Sequence, residues 1–218
     1  MIYPNICAGC GRVISGDDSV ICVRCWANIP RTYQCDDKNN RTIKLFWGRI
    51  NVVHAFTSFV YSKGGIVQRM IHELKYKGNT EVGVELGVEL AKEIQKNKMS
   101  VDVVIPVPLH PKKEKIRGYN QSLFIAEGIG NYLGCEVDDK SLQRTVHTES
   151  QTRKGKYERW ENVNKIFRLS NLDKLEGKHV LLVDDVITTG ATIEDCFIAL
   201  SKVKGIKISV VALASSIL

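Results

Sequence analysis

Two adjacent acids, a hydroxyl-rich loop and four spaced cysteines are the residues whose types and spacing could do chemistry. Asp184 and Asp185 directly follow the apolar run Val180 to Val183, and the loop Thr188-Thr189-Gly190-Ala191-Thr192 comes next. Neighbouring carboxylates accept hydrogen bonds from two adjacent hydroxyls, or share a hydrated magnesium ion. Small residues at the start of a helix let backbone N–H groups close on a phosphate, which the helix dipole also favours. Gly190 can adopt positive φ there without strain, and the threonine hydroxyls add donors. A phosphate loop beside acids suited to a diol describes a ribose 5-phosphate.

The second cluster is Cys7-Ala8-Gly9-Cys10 with Cys22-Val23-Arg24-Cys25. Each pair sets two thiolates on a tight turn that Gly9, Gly11 and Gly16 allow. Four thiolates satisfy tetrahedral zinc and leave no open position, so the chemistry predicts a structural Zn2+ site. So short a segment lacks a core of its own, and metal binding would drive its folding. Of the seven cysteines, Cys35 reads as a spare thiol in a linker, and Cys135 and Cys196 read as core thiols.

Several elements must position these residues. Val180 to Val183 reads as a buried strand, and Ile193, Phe197 and Leu200 recur at helical spacing after the loop. A second strand is expected over residues 101–105, followed by the loop Pro106 to His110. In open parallel sheets ligands sit at the carboxyl ends of strands near the switch in strand order, so this junction is the companion to the acids. Pro106 and Pro108 lack an N–H, leaving Val107, Leu109 and His110 as backbone donors. Phe46, Trp47, Ile50 and the stretch 52–61 read as a strand entering the main domain. Ile66, Met70, Ile71 and Leu74 share a helix face that ends before Lys75-Tyr76-Lys77-Gly78. A helix over about 82–97 follows, and another runs to about Leu133, stopped by Gly134.

Composition narrows the classes. A chain of 218 residues with 44% hydrophobic residues suits one medium domain plus a small appendage and excludes a largely disordered chain. The apolar runs are too short for a membrane span, so no membrane insertion is expected. No secretory signal is apparent, and the expected location is cytoplasmic. The net charge of +7 fits an anionic partner, either nucleic acid or a small polyphosphate. A Walker A segment, the partner of a Walker B-like acid pair, is missing, and Gly128-Ile129-Gly130 lacks the third glycine of a dinucleotide fingerprint.

Residues 180–192 resemble the 5-phosphoribosyl 1-diphosphate (PRPP) motif of type I phosphoribosyltransferases. That resemblance implies a mostly parallel α/β sheet flanked by helices, with the four-cysteine ribbon appended. It implies that Asp184 and Asp185 carry the catalytic diol contacts and that Thr188, Thr189, Gly190, Ala191 and Thr192 hold the 5-phosphate. It gives pyrophosphate binding, with Mg2+ accompanying PRPP, to Pro106, Val107, Pro108 and Leu109. It also implies a hood between the two loops, with Arg144, Arg153, Lys154 and Arg159 as its candidate basic residues. Tyr157 and Trp160 in that stretch could stack a base or simply pack. The further order of ribbon, Leu74 to Gly78, Val107 to Pro111, Arg117 to Gln121, and Gln151-Thr152 through Asn162 is similar to the ComF (ComFC) family. The cysteine spacing puts the ribbon over 1–35 and the polar run after it reads as a linker over 36–48, so the resemblance implies a phosphoribosyltransferase-like domain over 49–218. It further implies work in DNA uptake and natural transformation, with single-stranded DNA and a helicase-like partner. The alternative is a metabolic phosphoribosyltransferase that transfers ribose 5-phosphate to a small base or amine.

Overall fold

The computed structural model describes residues 5–14, 19–145 and 166–216. Its main sheet contains β1 (Ala55–Val60), β2 (Val103–Pro106), β3 (Glu136–Val137), β6 (His179–Ile187) and β7 (Lys207–Ser215). The strands are all parallel, in the order β1-β7-β6-β2-β3. A separate antiparallel pair joins β4 (Leu142–Arg144) to β5 (Phe167–Leu169). Among the described residues, no helix is long and apolar enough to cross a membrane.

The central strands are apolar on both faces because helices cover both. Leu181 and Val183 of β6 join a core with α3 (Ile66–Tyr76), α4 (Glu81–Lys96) and α6 (Gln121–Leu133). Val180 and Leu182 join the opposite core with α8 (Ala191–Leu200) and the β4–β5 pair. Helices α4 and α6 touch backbone to backbone. A Cβ on Gly87 would fall 2.2 Å from the Ile125 carbonyl oxygen, and one on Gly128 2.2 Å from that of Val84. The tandem Gly-Val-Glu-Leu therefore marks a close helix crossing. Gly134 ends α6 at φ 70°, as its type predicts.

The chain runs outward from β2 to β3 in one direction and from β6 through α8 to β7 in the other. Strand order therefore reverses between β2 and β6, and the crevice at their carboxyl ends is where ligands bind in such sheets.

Three expectations change. The strand predicted over 180–183 spans His179–Ile187, so both acids lie inside it. Pairing with β2 stops at Pro106↔Val183, whereas pairing with β7 continues to Ile187↔Ser215. The extra residues stay extended because β7 alone supports them, and they form one wall of the crevice. Second, the stretch 36–48 is packed rather than open. It contains α2 (Arg41–Leu45), capped by the Asn40 side chain, and a fully buried Phe46. Its polar start suggested a linker, but Asn40 Nδ2 donates to the carbonyls of Gln34, Asp37 and Ala55. Third, residues 46–49 form a turn, and the strand expected from Phe46 begins at Ala55.

The ribbon is docked on the sheet domain. Cys7, Ala8, Ile21 and Cys25 share a core with Phe59 and Met70. Val20 donates its N–H to Glu85 Oε1 at 2.6 Å, and Arg69 Nε donates to the Gly9 carbonyl at 2.6 Å. The strand-side edge is closed by Arg31, bridged antiparallel to Phe59.

Candidate functional site

Strand β6 delivers the two acids with different surroundings. Asp185 is almost fully buried, and its Oδ2 lies 2.8 Å from Lys75 Nζ on α3. Asp184 is half-buried. Its Oδ1 accepts the Ser122 hydroxyl at 3.1 Å and the Asp185 N–H at 2.8 Å. Burial and the adjacent Asp185 charge push the Asp184 carboxyl up to about 7, against the lowering pull of the Asp185 N–H, Lys75 and Ser122. The two acids therefore divide their tasks. Asp185 is held by a cation, while Asp184 keeps acceptor capacity toward the crevice.

Lys75 and Ser122, which contact the two acids, were missed by sequence reading, although both carried a signal. Lys75 follows Ile71 by four residues and so continues the buried face of α3. Ser122 sits with Ile125, Ala126 and Ile129 on the buried stripe of α6. A polar group on an inward position is the informative observation in each case.

The loop after β6 turns at Gly190, where φ is 77°. A Cβ there would come within 2.8 Å of the Phe46 ring. Thr188 and Thr189 are exposed beside the helix start, and Thr189 Oγ1 accepts from the Ala191 N–H at 3.4 Å. The first-turn N–H groups of α8 thus open at the same end of the sheet as Asp184. Arg49 braces this loop from outside. Its Nη1 donates to the Thr189 and Leu45 carbonyls, both at 3.1 Å, and its Nε pairs with the buried Glu194 carboxylate. No spacing in the sequence points to Arg49, because it lies in an irregular segment.

The loop after β2 is narrower in donors than its composition implied. Pro106 closes the strand, and the Val107 N–H donates to the Val183 carbonyl at 2.8 Å. Of the three backbone donors expected in this loop, Val107 is therefore spent within the sheet. Asn120 ties this loop to α6. Its Nδ2 donates to the Val107 carbonyl at 3.0 Å, and its Oδ1 accepts from the Ser122 N–H at 3.1 Å. The Tyr119 hydroxyl donates to the Leu74 carbonyl, and Arg117 lies 5.4 Å above the Tyr76 ring. The run Arg117 to Gln121 thereby fastens α3, α6 and the loop to one another. Short helix α5 (Pro111–Arg117) precedes it, with Lys112, Lys113 and Lys115 exposed.

Of the hood candidates, Arg144 ends β4, with its guanidinium 5.6 Å from the Phe167 ring centre. Its charge helps lower the His110 pKa, a shift led by partial desolvation, so Arg144 is in electrostatic reach of the loop after β2. Arg153, Lys154 and Arg159 lie outside the described residues, as do Gln151, Thr152, Tyr157, Trp160 and Asn162.

The ribbon brings its four sulfurs together. The ligand atoms of Cys7, Cys10, Cys22 and Cys25 all lie within 4.8 Å of one another, and Cys10 and Cys22 Sγ are 3.8 Å apart. A tetrahedron with Zn–S of about 2.3 Å has edges of about 3.8 Å, so the set fits zinc. Cys7 Sγ accepts the N–H groups of Gly9 at 3.4 Å and Cys22 at 3.3 Å. Burial acts to raise the Cys7 thiol, but these and its other hydrogen bonds outweigh it and bring it down to about 7, toward the thiolate that metal needs. The first pair sits on a turn with Gly11 at φ 73°. The second opens α1 (Val23–Asn28), with Cys22 as its N-cap rather than on a free turn. Cys196 is fully buried in the core, as a core thiol should be.

A family description, the phosphoribosyl transferase domain, matches residues 120–216. "DNA utilization protein YhgH" of Salmonella typhi is 26% identical over 196 residues, which cover 88% of this chain and 75% of that protein. "Competence protein ComFC" of Bacillus subtilis is 29% identical over 135 residues, covering 62% of this chain and 53% of the relative. Among solved structures, a glutamine PRPP amidotransferase from B. subtilis aligns at 19% identity and a TM-score of 0.46. That alignment covers 65% of this chain and 30% of the other. With a parallel sheet whose order reverses beside an acid pair and a four-cysteine cluster, the chain is similar to the ComF-type competence and DNA utilization proteins and carries a phosphoribosyl transferase domain match over residues 120–216.

Proposed function

We propose that the crevice between β2 and β6 binds Mg-PRPP and that the protein acts in DNA uptake. The observation that carries the reading is the convergence, at one sheet end, of Asp184, the Gly190 loop and the start of α8. Asp184 accepts from the ribose hydroxyls, with Asp185 beside it fixed by Lys75. The N–H groups of residues 190–192 and the hydroxyls of Thr188, Thr189 and Thr192 receive the 5-phosphate. Residues 106–109 face the pyrophosphate through Leu109 together with His110, and Arg144 adds positive charge from the hood side. Magnesium supplies charge to the diphosphate. If an acceptor enters, its nitrogen lone pair attacks the anomeric carbon. The C–O bond to pyrophosphate breaks, and pyrophosphate leaves with the bonding pair. The protein's part is to position the reactants and stabilise charge.

The DNA-uptake role is supported by the names of the relatives, "DNA utilization protein YhgH" and "Competence protein ComFC". Contact with single-stranded DNA is supported by the exposed lysines of α5 beside the crevice. A helicase-like partner and a cytoplasmic location belong to the same reading. Zinc on the four cysteines holds the ribbon.

Thermal unfolding tests the pocket. At a hundredfold excess over Kd, Mg-PRPP should stabilise by about 2.7 kcal/mol, a rise of roughly 5–10 °C for a chain of this size. No rise at millimolar PRPP would refute the pocket. Binding of single-stranded DNA should weaken steeply with salt, and no binding at low salt would refute that contact.

A further inference from the structure

We infer that Arg49 is a positioning residue for the phosphate loop, acting through the Thr189 carbonyl and the Glu194 carboxylate. This role rests on the PRPP reading of the crevice. Helix α8 opens with a difficulty for anion binding, because Glu194 stands in its first turn and is 3% exposed. A buried carboxylate one turn from a phosphate would repel it strongly, since a low local dielectric screens little. Arg49 answers this with two separate contacts. Its Nε pairs with the Glu194 carboxylate, which balances that charge. Its Nη1 donates to the Thr189 carbonyl at 3.1 Å.

The second contact sets the direction of a peptide group. A trans peptide points its C=O and N–H in opposite directions. Holding the Thr189 carbonyl toward Arg49 therefore turns the Gly190 N–H away from Arg49. A loop that binds anions needs its N–H groups presented and its carbonyls turned back. The same Arg49 nitrogen also donates to the Leu45 carbonyl at 3.1 Å, so α2 is coupled to the loop. Phe46 packs where a Gly190 Cβ would stand, which blocks the loop from collapsing toward α2. The segment 41–49 is thus a brace whose guanidinium both neutralises the helix start and orients one amide.

The test measures Mg-PRPP affinity by calorimetry for wild type, Arg49→Gln, Arg49→Lys, Glu194→Gln and the double variant Arg49→Gln/Glu194→Gln. Removing one charge-assisted contact predicts a weakening of about ten- to hundredfold for Arg49→Gln. Arg49→Lys keeps the charge without the planar fork and should fall between. The double variant removes the Glu194 charge as well and should regain the share of the loss due to that charge, while the share due to the lost Thr189 contact persists. A role in fold stability alone would not produce that recovery. Circular dichroism checks that each variant folds. Should Arg49→Gln fail to fold, Arg49→Lys against the double variant carries the same comparison. Wild-type protein that does not bind PRPP overturns the reading of the crevice, and this role with it. Wild-type binding with unchanged affinity in Arg49→Gln overturns the role of Arg49 alone; a double variant as weak as the single overturns its charge-balancing contact, and one as strong as wild type overturns its orienting contact.

Discussion

Replacing Gly190 by alanine tests how the phosphate loop is held, and its cost can be worked from two separate causes. The residue sits at φ 77°, which a non-glycine residue adopts at about 1–2 kcal/mol. The new Cβ would also lie 2.8 Å from Phe46 Cε1 and 3.1 Å from Leu45 Cδ2. Forcing a methyl into a packed core costs about 1–3 kcal/mol. Together Gly190→Ala should lose about 2–5 kcal/mol, or roughly 4–20 °C of Tm for a chain of this length. Gly118 provides an internal control. Its φ is 86°, but a Cβ there meets nothing within 4 Å. Gly118→Ala should therefore show the backbone cost alone, about 1–2 kcal/mol. Denaturant unfolding of both variants, and of Gly190→Ala combined with Phe46→Leu, separates the causes. The double variant should lose less than the sum of its singles, because the smaller side chain gives the methyl room. Equal costs at Gly190 and Gly118 would refute the brace formed by Phe46. A Gly190→Ala protein as stable as wild type would refute the geometry of the loop altogether.

Other consequences follow from the same contacts. Lys75→Met strands a buried Asp185 carboxylate and should cost about 3 kcal/mol or more, whereas Lys75→Met with Asp185→Asn should recover part of it; additive losses in denaturant melts would contradict the ion pair. The pH dependence of ligand binding has a defined sign. The empty-state Asp184 carboxyl is raised to about 7, so it is protonated in much of the empty protein below that pH. A carboxylate that must accept from ribose hydroxyls then loses a proton on binding. Mg-PRPP affinity should rise with pH up to about 7 and level off above, with proton release seen by calorimetry at pH 6 in buffers of different ionisation heat. The opposite slope would contradict the role of Asp184. Zinc analysis should find one ion per chain. Because Cys7 and Cys25 share a core with Met70 and Phe59, stripping the metal with a chelator should lower the Tm of the whole protein. An unchanged melt would show that the ribbon does not support the sheet domain.

What was legible in the sequence was local. The PRPP-like run is a strand, a turn and a helix start read from thirteen consecutive residues, and the paired cysteines needed only their spacing. The helices were equally plain, since 3.6-residue periodicity marks Met70, Ile71 and Leu74 directly, although the structure buries Val67 where Ile66 was expected. The length of β6 was misjudged because acids usually end a buried strand. Here the neighbouring β2 stops first, so Asp184 and Asp185 remain extended along the crevice. The segment 36–48 looked like a linker because its first residues are polar, yet Asn40 spends its side chain on three backbone carbonyls and a helix cap. Long-range pairings were invisible. Lys75 with Asp185 spans 110 positions, and Arg49 with Thr189 spans 140. Only the inward positions of Lys75 on α3 and Ser122 on α6 offered a hint.

The central claim is that the acids and the Gly190 loop form one PRPP site. Calorimetric titration of Mg-PRPP into zinc-loaded protein, beside the Asp184→Asn/Asp185→Asn variant, tests it most directly. The account predicts one site per chain in the wild type and loss of measurable binding in the folded variant. Wild-type protein that takes up no PRPP, or a variant that binds it unchanged, would contradict the claim.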